Sequence, residues 1–186
     1  MCFKFGTIFL GRFPEAMDTE KLYEDKIVLV TGGAGAIGTN LCDALSRSGA
    51  KLVIILDDLS SGYMWNIPSR DNILFVKGCV TDEIVLKRVF FEKPDYVFHL
   101  AAFFANQNSV DFPEQDLKIN GQGTLKLLEY SLFNQVERFV YASSGCSIYG
   151  SSAPLPLTED FMSMQHKHPG HSISKCMIIL WKSSEI

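Results

Sequence analysis

The sequence predicts an α/β domain: a doubly wound parallel sheet with crossover helices. Three observations carry that expectation. From Lys26 onward, short β-branched runs alternate with longer stretches of helical period, the pattern of strand, crossover helix and parallel strand. Of 186 residues, 47% are apolar, enough for one domain of this length to bury a core. The first strand also runs directly into a glycine-rich stretch that opens a helix.

The elements follow in order. Residues 27–31 read as a buried strand. The helix after them shows Ile37, Leu41, Ala44, Leu45 and Ser48 on one face, spaced by threes and fours, and Gly49 ends it. Residues 52–56 and 73–77 read as the second and third strands. Asp82 can cap a helix carrying Val85, Leu86, Val89 and Phe90 on one side, closed by Pro94. Residues 95–100 form a fourth strand. A long helix with Leu117, Thr124, Leu128 and Leu132 on one stripe then precedes a fifth strand at 138–143. Each crossover is long enough to be right-handed. Beyond Ser143 a loop rich in Ser, Gly and Pro runs to about Gly170, before a final apolar helix from about Ser172. Residues 1–24 read as an N-terminal extension, with Met17 a plausible start for the domain, and 25–186 as the domain itself. The apolar stretch 5–10 is short, contains a glycine and lacks a small-residue cleavage site, which argues against a targeting peptide.

Composition narrows the partners. The formal net charge is -4 and the Lys and Arg residues are scattered, so there is no electrostatic footprint for nucleic acid. No apolar run approaches the roughly 18 residues that span a bilayer, so no membrane partner is expected. Five cysteines, widely separated and never in a C-x-x-C pair, fit reduced thiols in a cytoplasmic protein better than a disulfide framework or a zinc ribbon. His166, His168 and His171 with Cys176 nearby can be drawn as a metal site. An irregular loop without a carboxylate shell favours solvated side chains instead, and no metal is expected.

The strongest motif is Thr31-Gly32-Gly33-Ala34-Gly35-Ala36-Ile37-Gly38, between a strand and an amphipathic helix. A pyrophosphate can approach a backbone only where no Cβ intervenes, and the helix opening here aims unpaired N–H groups and its positive dipole end at it. Gly32 and Gly35 are expected to turn the chain, and Gly38 to let helix and strand pack closely. Nineteen residues after Gly38, Asp57 ends the second strand, where its carboxylate can accept both hydroxyl protons of an adenosine ribose. Asp58 adds negative charge that repels a 2′-phosphate, and no Arg follows in the loop 59–62, so NAD is expected over NADP. Asp57 also has a plainer reading, as the cap of a turn. Together these features specify a Rossmann-like sheet.

From about Lys26 to Lys175 the chain resembles the extended short-chain dehydrogenase/reductase family, specifically the NAD-dependent nucleotide-sugar epimerases and dehydratases. The resemblance rests on T-G-G-A-G-A-I-G from Thr31, L-D-D-L-S-S-G from Leu56, H-L-A-A from His99, I-N-G-Q-G-T from Ile119, Y-A-S-S-G-C-S-I-Y-G from Tyr141, and S-I-S-K ending at Lys175. It implies that Ala101 and Ala102 lie under the cofactor at the end of the fourth strand. It also implies that Asn120 meets the cofactor or holds the site's geometry. Ser144 is expected to anchor the substrate hydroxyl, with Ser143 and Ser147 as stand-ins, or these serines simply satisfy the loop backbone. His99 is expected to be a packed strand-end residue.

Three departures stand out. The family usually carries an acidic residue beside the adenine after the third strand; here Gly78-Cys79-Val80 stands, and the contact is lost or comes from the Asp82 region. The family's catalytic tyrosine precedes the lysine by four residues, and here that position is His171. An imidazole of reference pKa about 6.5, kept neutral by the neighbouring Lys175 ammonium, is a suitable base but shorter than a phenol. The sequence ends at Ile186, soon after Lys175, whereas the family continues into a mostly C-terminal lobe that binds the nucleotide sugar, so the fold is expected without that lobe.

The resemblance therefore implies an NAD-dependent nucleotide-sugar epimerase or dehydratase. Lys175 would orient the nicotinamide ribose, His171 would be the base and Ser144 the hydroxyl anchor, with a homodimer as the implied assembly. The rival reading is a truncated dinucleotide-binding module without turnover.

Overall fold

The computed structural model of the chain describes residues 22–103, 106–142 and 156. In chain order it contains β1 (Ile27–Thr31), α1 (Ala36–Arg47), β2 (Leu52–Asp57), β3 (Ile73–Lys77), α2 (Glu83–Phe91), β4 (Tyr96–His99), α3 (Asn106–Asp111), α4 (Pro113–Asp116), α5 (Thr124–Phe133) and β5 (Arg138–Tyr141). A 3-10 turn at Met64–Asn66 lies between β2 and β3, and a π-helical stretch at Leu117–Gly123 joins α4 to α5. Among the described residues the strands form one five-stranded sheet in the order β3-β2-β1-β4-β5, every neighbouring pair parallel. This is the Rossmann-like, doubly wound arrangement the sequence predicts.

The strands are apolar on both faces because helices cover both. Val28 and Val30 of β1 point into a cluster with Cys42 and Leu45 of α1, and with Val53 and Ile55 of β2. Leu29 points the other way, with Ile54 and Leu56, against Leu86, Val89 and Phe90 of α2 and Leu127 of α5. Leu29, Ile54, Ile55, Leu86 and Leu127 are completely buried. Each such side chain contributes about 1.5–3 kcal/mol relative to exposure. Asp82 caps α2 as expected, accepting from the N–H groups of Ile84 (2.9 Å) and Val85 (3.4 Å).

Two helical faces differ from the expected stripes. In α1 the inward residues are Gly38, Cys42 and Leu45, whereas Ile37 is exposed and Ala44 faces solvent. The rotation is set by Gly38, which has to lie against the preceding turn, so the stripe shifts by one residue from the pattern of largest apolar side chains. In α5 the inward residues are Thr124, Leu127 and Ser131, while Leu132 is exposed and Leu128 half-buried. Steps of four walk off a helical face by about 40° each, so a stripe extrapolated from Thr124 to Leu132 leaves the core. Leu117 is also exposed, because the i→i+5 turns of the π-helical stretch break the phase ahead of Thr124. The expected single long helix is thus three segments and a π-helical stretch. The loop after Ser143 and the helix expected from Ser172 lie outside the described residues.

Parallel register brings the strand ends to one level. Thr31 pairs with Leu56 on one side and His99 on the other, and His99 pairs with Tyr141. Chain order runs outward in one direction from β1 through β2 and in the other from β4, so the loops after β1 and β4 part between them. A crevice at the carboxyl ends of the strands follows from that reversal.

Candidate functional site

The glycine turn forms the floor of this crevice. Gly32 has φ +72, the left-handed region, and its N–H donates to the Leu56 carbonyl at 2.8 Å. A Cβ on Gly32 would sit 2.7 Å from the Ala101 nitrogen and 2.9 Å from its Cα, so turn and strand end approach backbone to backbone. Only glycine meets both demands. At Gly38 a Cβ would overlap the Gly32 carbonyl oxygen and lie 2.6 Å from the Gly33 Cα, so α1 packs on the turn that follows β1. Gly35 closes the turn without a left-handed conformation: its φ is -77, its N–H donates to the Gly32 carbonyl at 3.2 Å, and it is the N-cap residue of α1. As a cap it offers no side-chain acceptor, and the first turn of α1 holds no acidic residue. The positive end of the helix, with the N–H groups of Ala36, Ile37 and Gly38, is therefore neither capped by the Gly35 side chain nor neutralised by a first-turn carboxylate.

Asp57 stands beside the turn and is 8% exposed. Its Oδ2 accepts from the Ala34 N–H at 2.9 Å and its Oδ1 from the Leu59 N–H at 2.8 Å. The turn-capping reading is therefore correct, and each carboxylate oxygen keeps lone-pair capacity for a hydroxyl donor as well. Asp58 is exposed, and its Oδ1 accepts from the Ser60 N–H at 2.8 Å. Beneath the turn, burial first and the Asp57 charge second push the Cys42 thiol up to about 12, which makes it an inert packing group. Asp82, the alternative adenine contact, caps α2 through Oδ1.

The other wall is built by polar side chains. His99 is 1% exposed, with Nδ1 2.7 Å from Thr31 Oγ1 and Nε2 2.8 Å from Thr124 Oγ1. It is a packed strand-end residue, and burial holds its pKa down at about 4. Thr31 Oγ1 also accepts from the Ala101 N–H at 3.3 Å, and Thr124 Oγ1 donates to the Asn120 carbonyl at 2.8 Å. Asn120, in the π-helical stretch, grips the backbone of Phe103 at both polar groups: Oδ1 accepts its N–H at 2.8 Å and Nδ2 donates to its carbonyl at 3.0 Å. Nδ2 also donates to Asp116 Oδ1 at 2.6 Å. Of the two expectations for Asn120, holding the site's geometry is the one this arrangement serves. Ala101 is half-buried and Ala102 exposed, at the end of β4 and against the turn. Ser144, His171 and Lys175 lie outside the described residues.

Several of these residues escaped the sequence reading. Asn66 donates through Nδ2 to the Ala34 carbonyl at 2.9 Å, tying the 3-10 turn to the glycine turn, and nothing in the local pattern signalled it. Thr31 and Thr124 meet residues far apart in sequence, and a single chain gives no sign of such partners; Asp116 meets Ser109 and Asn120 within its own helical neighbourhood. Among the described residues no cluster of His, Cys, Asp and Glu could hold a metal, and no helix is long and apolar enough to cross a membrane.

A reversal of strand order fronted by a bare-backbone turn, with a carboxylate at the end of the next strand, defines a Rossmann-like type of domain. The chain belongs to the NAD dependent epimerase/dehydratase family, whose sequence model matches residues 28–181. It is 41% identical over 135 residues to a UDP-glucose 4-epimerase of Mycolicibacterium smegmatis, an alignment covering 71% of this chain and 43% of that protein. Among solved structures, an epimerase of Methanothermobacter thermautotrophicus superposes with TM-score 0.83 at 54% identity, over 90% of this chain and 49% of that one. A UDP-glucose 4-epimerase of Thermotoga maritima, solved with UDP-glucose, gives TM-score 0.77 at 36% identity, over 84% of this chain and 50% of that one. The chain thus spans about half the length of the relatives it matches.

Proposed function

We propose that this chain binds NAD in the crevice between β1 and β4 and contributes the cofactor half of a nucleotide-sugar epimerase of the UDP-hexose 4-epimerase type. The observation that carries the reading is the turn 32–38, where close approach excludes Cβ atoms at Gly32 and Gly38 and the helix N-terminus has no side-chain cap, with the Asp57 carboxylate against it. These residues fit the group. The N–H groups of Ala36, Ile37 and Gly38 would hold the pyrophosphate, Asp57 the adenosine ribose, and Ala101 and Ala102 the nicotinamide side, while Asp58 adds charge against a 2′-phosphate. When bound, NAD supplies a transient acceptor for hydride from the sugar carbon. Lys175 would orient the nicotinamide ribose, His171 would take the hydroxyl proton, and Ser144 would hold that hydroxyl by hydrogen bonding. Homodimer formation is part of the same reading, supported by the exposed Leu125, Leu132 and Phe133 on α5.

A second reading, a binding module without turnover, is favoured by His171 at the position of the family's tyrosine. Purified chain and its His171→Tyr variant, each given NAD and a panel of UDP- and dTDP-hexoses, separate the two. Sugar conversion by either protein supports the enzyme. Absence of conversion by both, while NAD still raises Tm, leaves the module.

A further inference from the structure

We propose that His99 is a positioning residue: as the neutral Nε2–H tautomer, it centres a one-way hydrogen-bond relay that fixes residues 101–103, the β4 wall of the crevice. The purpose of that wall rests on the dinucleotide reading; the relay rests on geometry alone.

The tautomer follows from proton counting. Thr124 Oγ1 has one proton and two neighbours, the Asn120 carbonyl oxygen at 2.8 Å and His99 Nε2 at 2.8 Å. A carbonyl cannot donate, so the hydroxyl proton goes to it, and Thr124 presents a lone pair to the ring. Nε2 must then carry hydrogen. The neutral ring leaves Nδ1 bare, Thr31 Oγ1 donates to it at 2.7 Å, and the Thr31 lone pair accepts the Ala101 N–H. The opposite tautomer would set the Thr124 oxygen against the Asn120 carbonyl oxygen at 2.8 Å with no proton between them. Every polar atom is satisfied in one direction only, from Ala101 N–H through Thr31, His99 and Thr124 to the Asn120 carbonyl.

The far end closes on the same segment. The Asn120 side chain holds Phe103 by N–H and carbonyl together, and its second Nδ2 proton goes to Asp116. With both protons spent, the Asn120 amide has no donor left for a ligand. Ala101 and Phe103 are thus held from the two ends of one relay, and His99 is the only side chain in it that bridges β1 to the α5 side. Three elements are set in register at the point where the glycine turn touches Ala101. A fully satisfied buried network of this kind specifies one geometry.

The test reads the ring directly. In 15N-labelled protein carrying H166Q, H168Q and H171Q, so that His99 alone reports, the expected spectrum is a protonated Nε2 and an unprotonated Nδ1 at neutral pH. A protonated Nδ1 overturns the proposal. Amide exchange in Thr124→Val supplies the second readout: loss of that hydroxyl should speed exchange at Ala101, the opposite end of the relay, by about tenfold. Faster exchange confined to the surroundings of residue 124 contradicts it. NAD titrated into wild type and Thr124→Val should bind the variant about tenfold more weakly. If wild type takes up no NAD, the dinucleotide reading fails, and the tautomer still decides the relay.

Discussion

At the scale of single residues, His99 makes the sharpest demand on solution conditions. Its folded pKa of about 4 lies below the ordinary 6.5, because burial disfavours the charged ring. Between those values the unfolded chain binds the extra proton and the folded chain does not. This contribution to stability is complete above pH 6.5 and is lost as pH falls toward 4. The shift corresponds to about 3 kcal/mol as an upper estimate. Urea unfolding of wild type should therefore lose stability through that window, and the slope should flatten in His99→Gln; equal slopes would contradict the assignment. Gly38→Ala tests the turn in a different way. The added methyl meets backbone atoms of Gly32 and Gly33, which cannot swing aside, so α1 has to move outward. The expected cost is about 1–3 kcal/mol by chemical denaturation, with NAD affinity lowered as well. Asp57→Asn should weaken both folding and NAD binding, since the Ala34 and Leu59 N–H groups each need an acceptor and an amide, in either orientation, sets Nδ2 against one of them.

The elements show where sequence reasoning succeeds and where it stops. Strand positions were legible because β-branched runs are short and bounded by turn residues; β1 and β3 begin and end where the sequence places them. The Asp82 cap was legible too, since capping is local. Helix faces were not. The rotation of α1 depends on Gly38 meeting the turn, a contact without hydrophobic signature, and the phase ahead of α5 depends on a π-helical stretch that periodicity cannot register. The glycine turn and Asp57 were legible as a site because their chemistry is local, whereas the partnerships of Thr31, His99, Thr124 and Asn120 join residues that only the folded sheet brings together. One element yields its own prediction. Because Gly35 leaves the α1 N-terminus without a side-chain cap, Gly35→Asp should place a carboxylate where the pyrophosphate is proposed to sit, and NAD affinity should fall by at least about tenfold. An unchanged affinity would mean that the helix end is not the anion site.

On the scale of the whole molecule, the described residues make a sheet buried on both faces, with the ends of β1, β2 and β4 at one level. Everything needed to cradle a dinucleotide in the proposed way comes from that half of the relatives' length which this chain spans. Cofactor binding is accordingly the activity most directly open to trial, ahead of sugar conversion. Calorimetry of the folded wild-type chain with NAD and with NADP is the decisive measurement. Uptake of one NAD per chain is expected, with NADP at least about tenfold weaker because Asp57 and Asp58 repel a 2′-phosphate. No heat of binding at millimolar NAD, from protein shown to be folded, would contradict it.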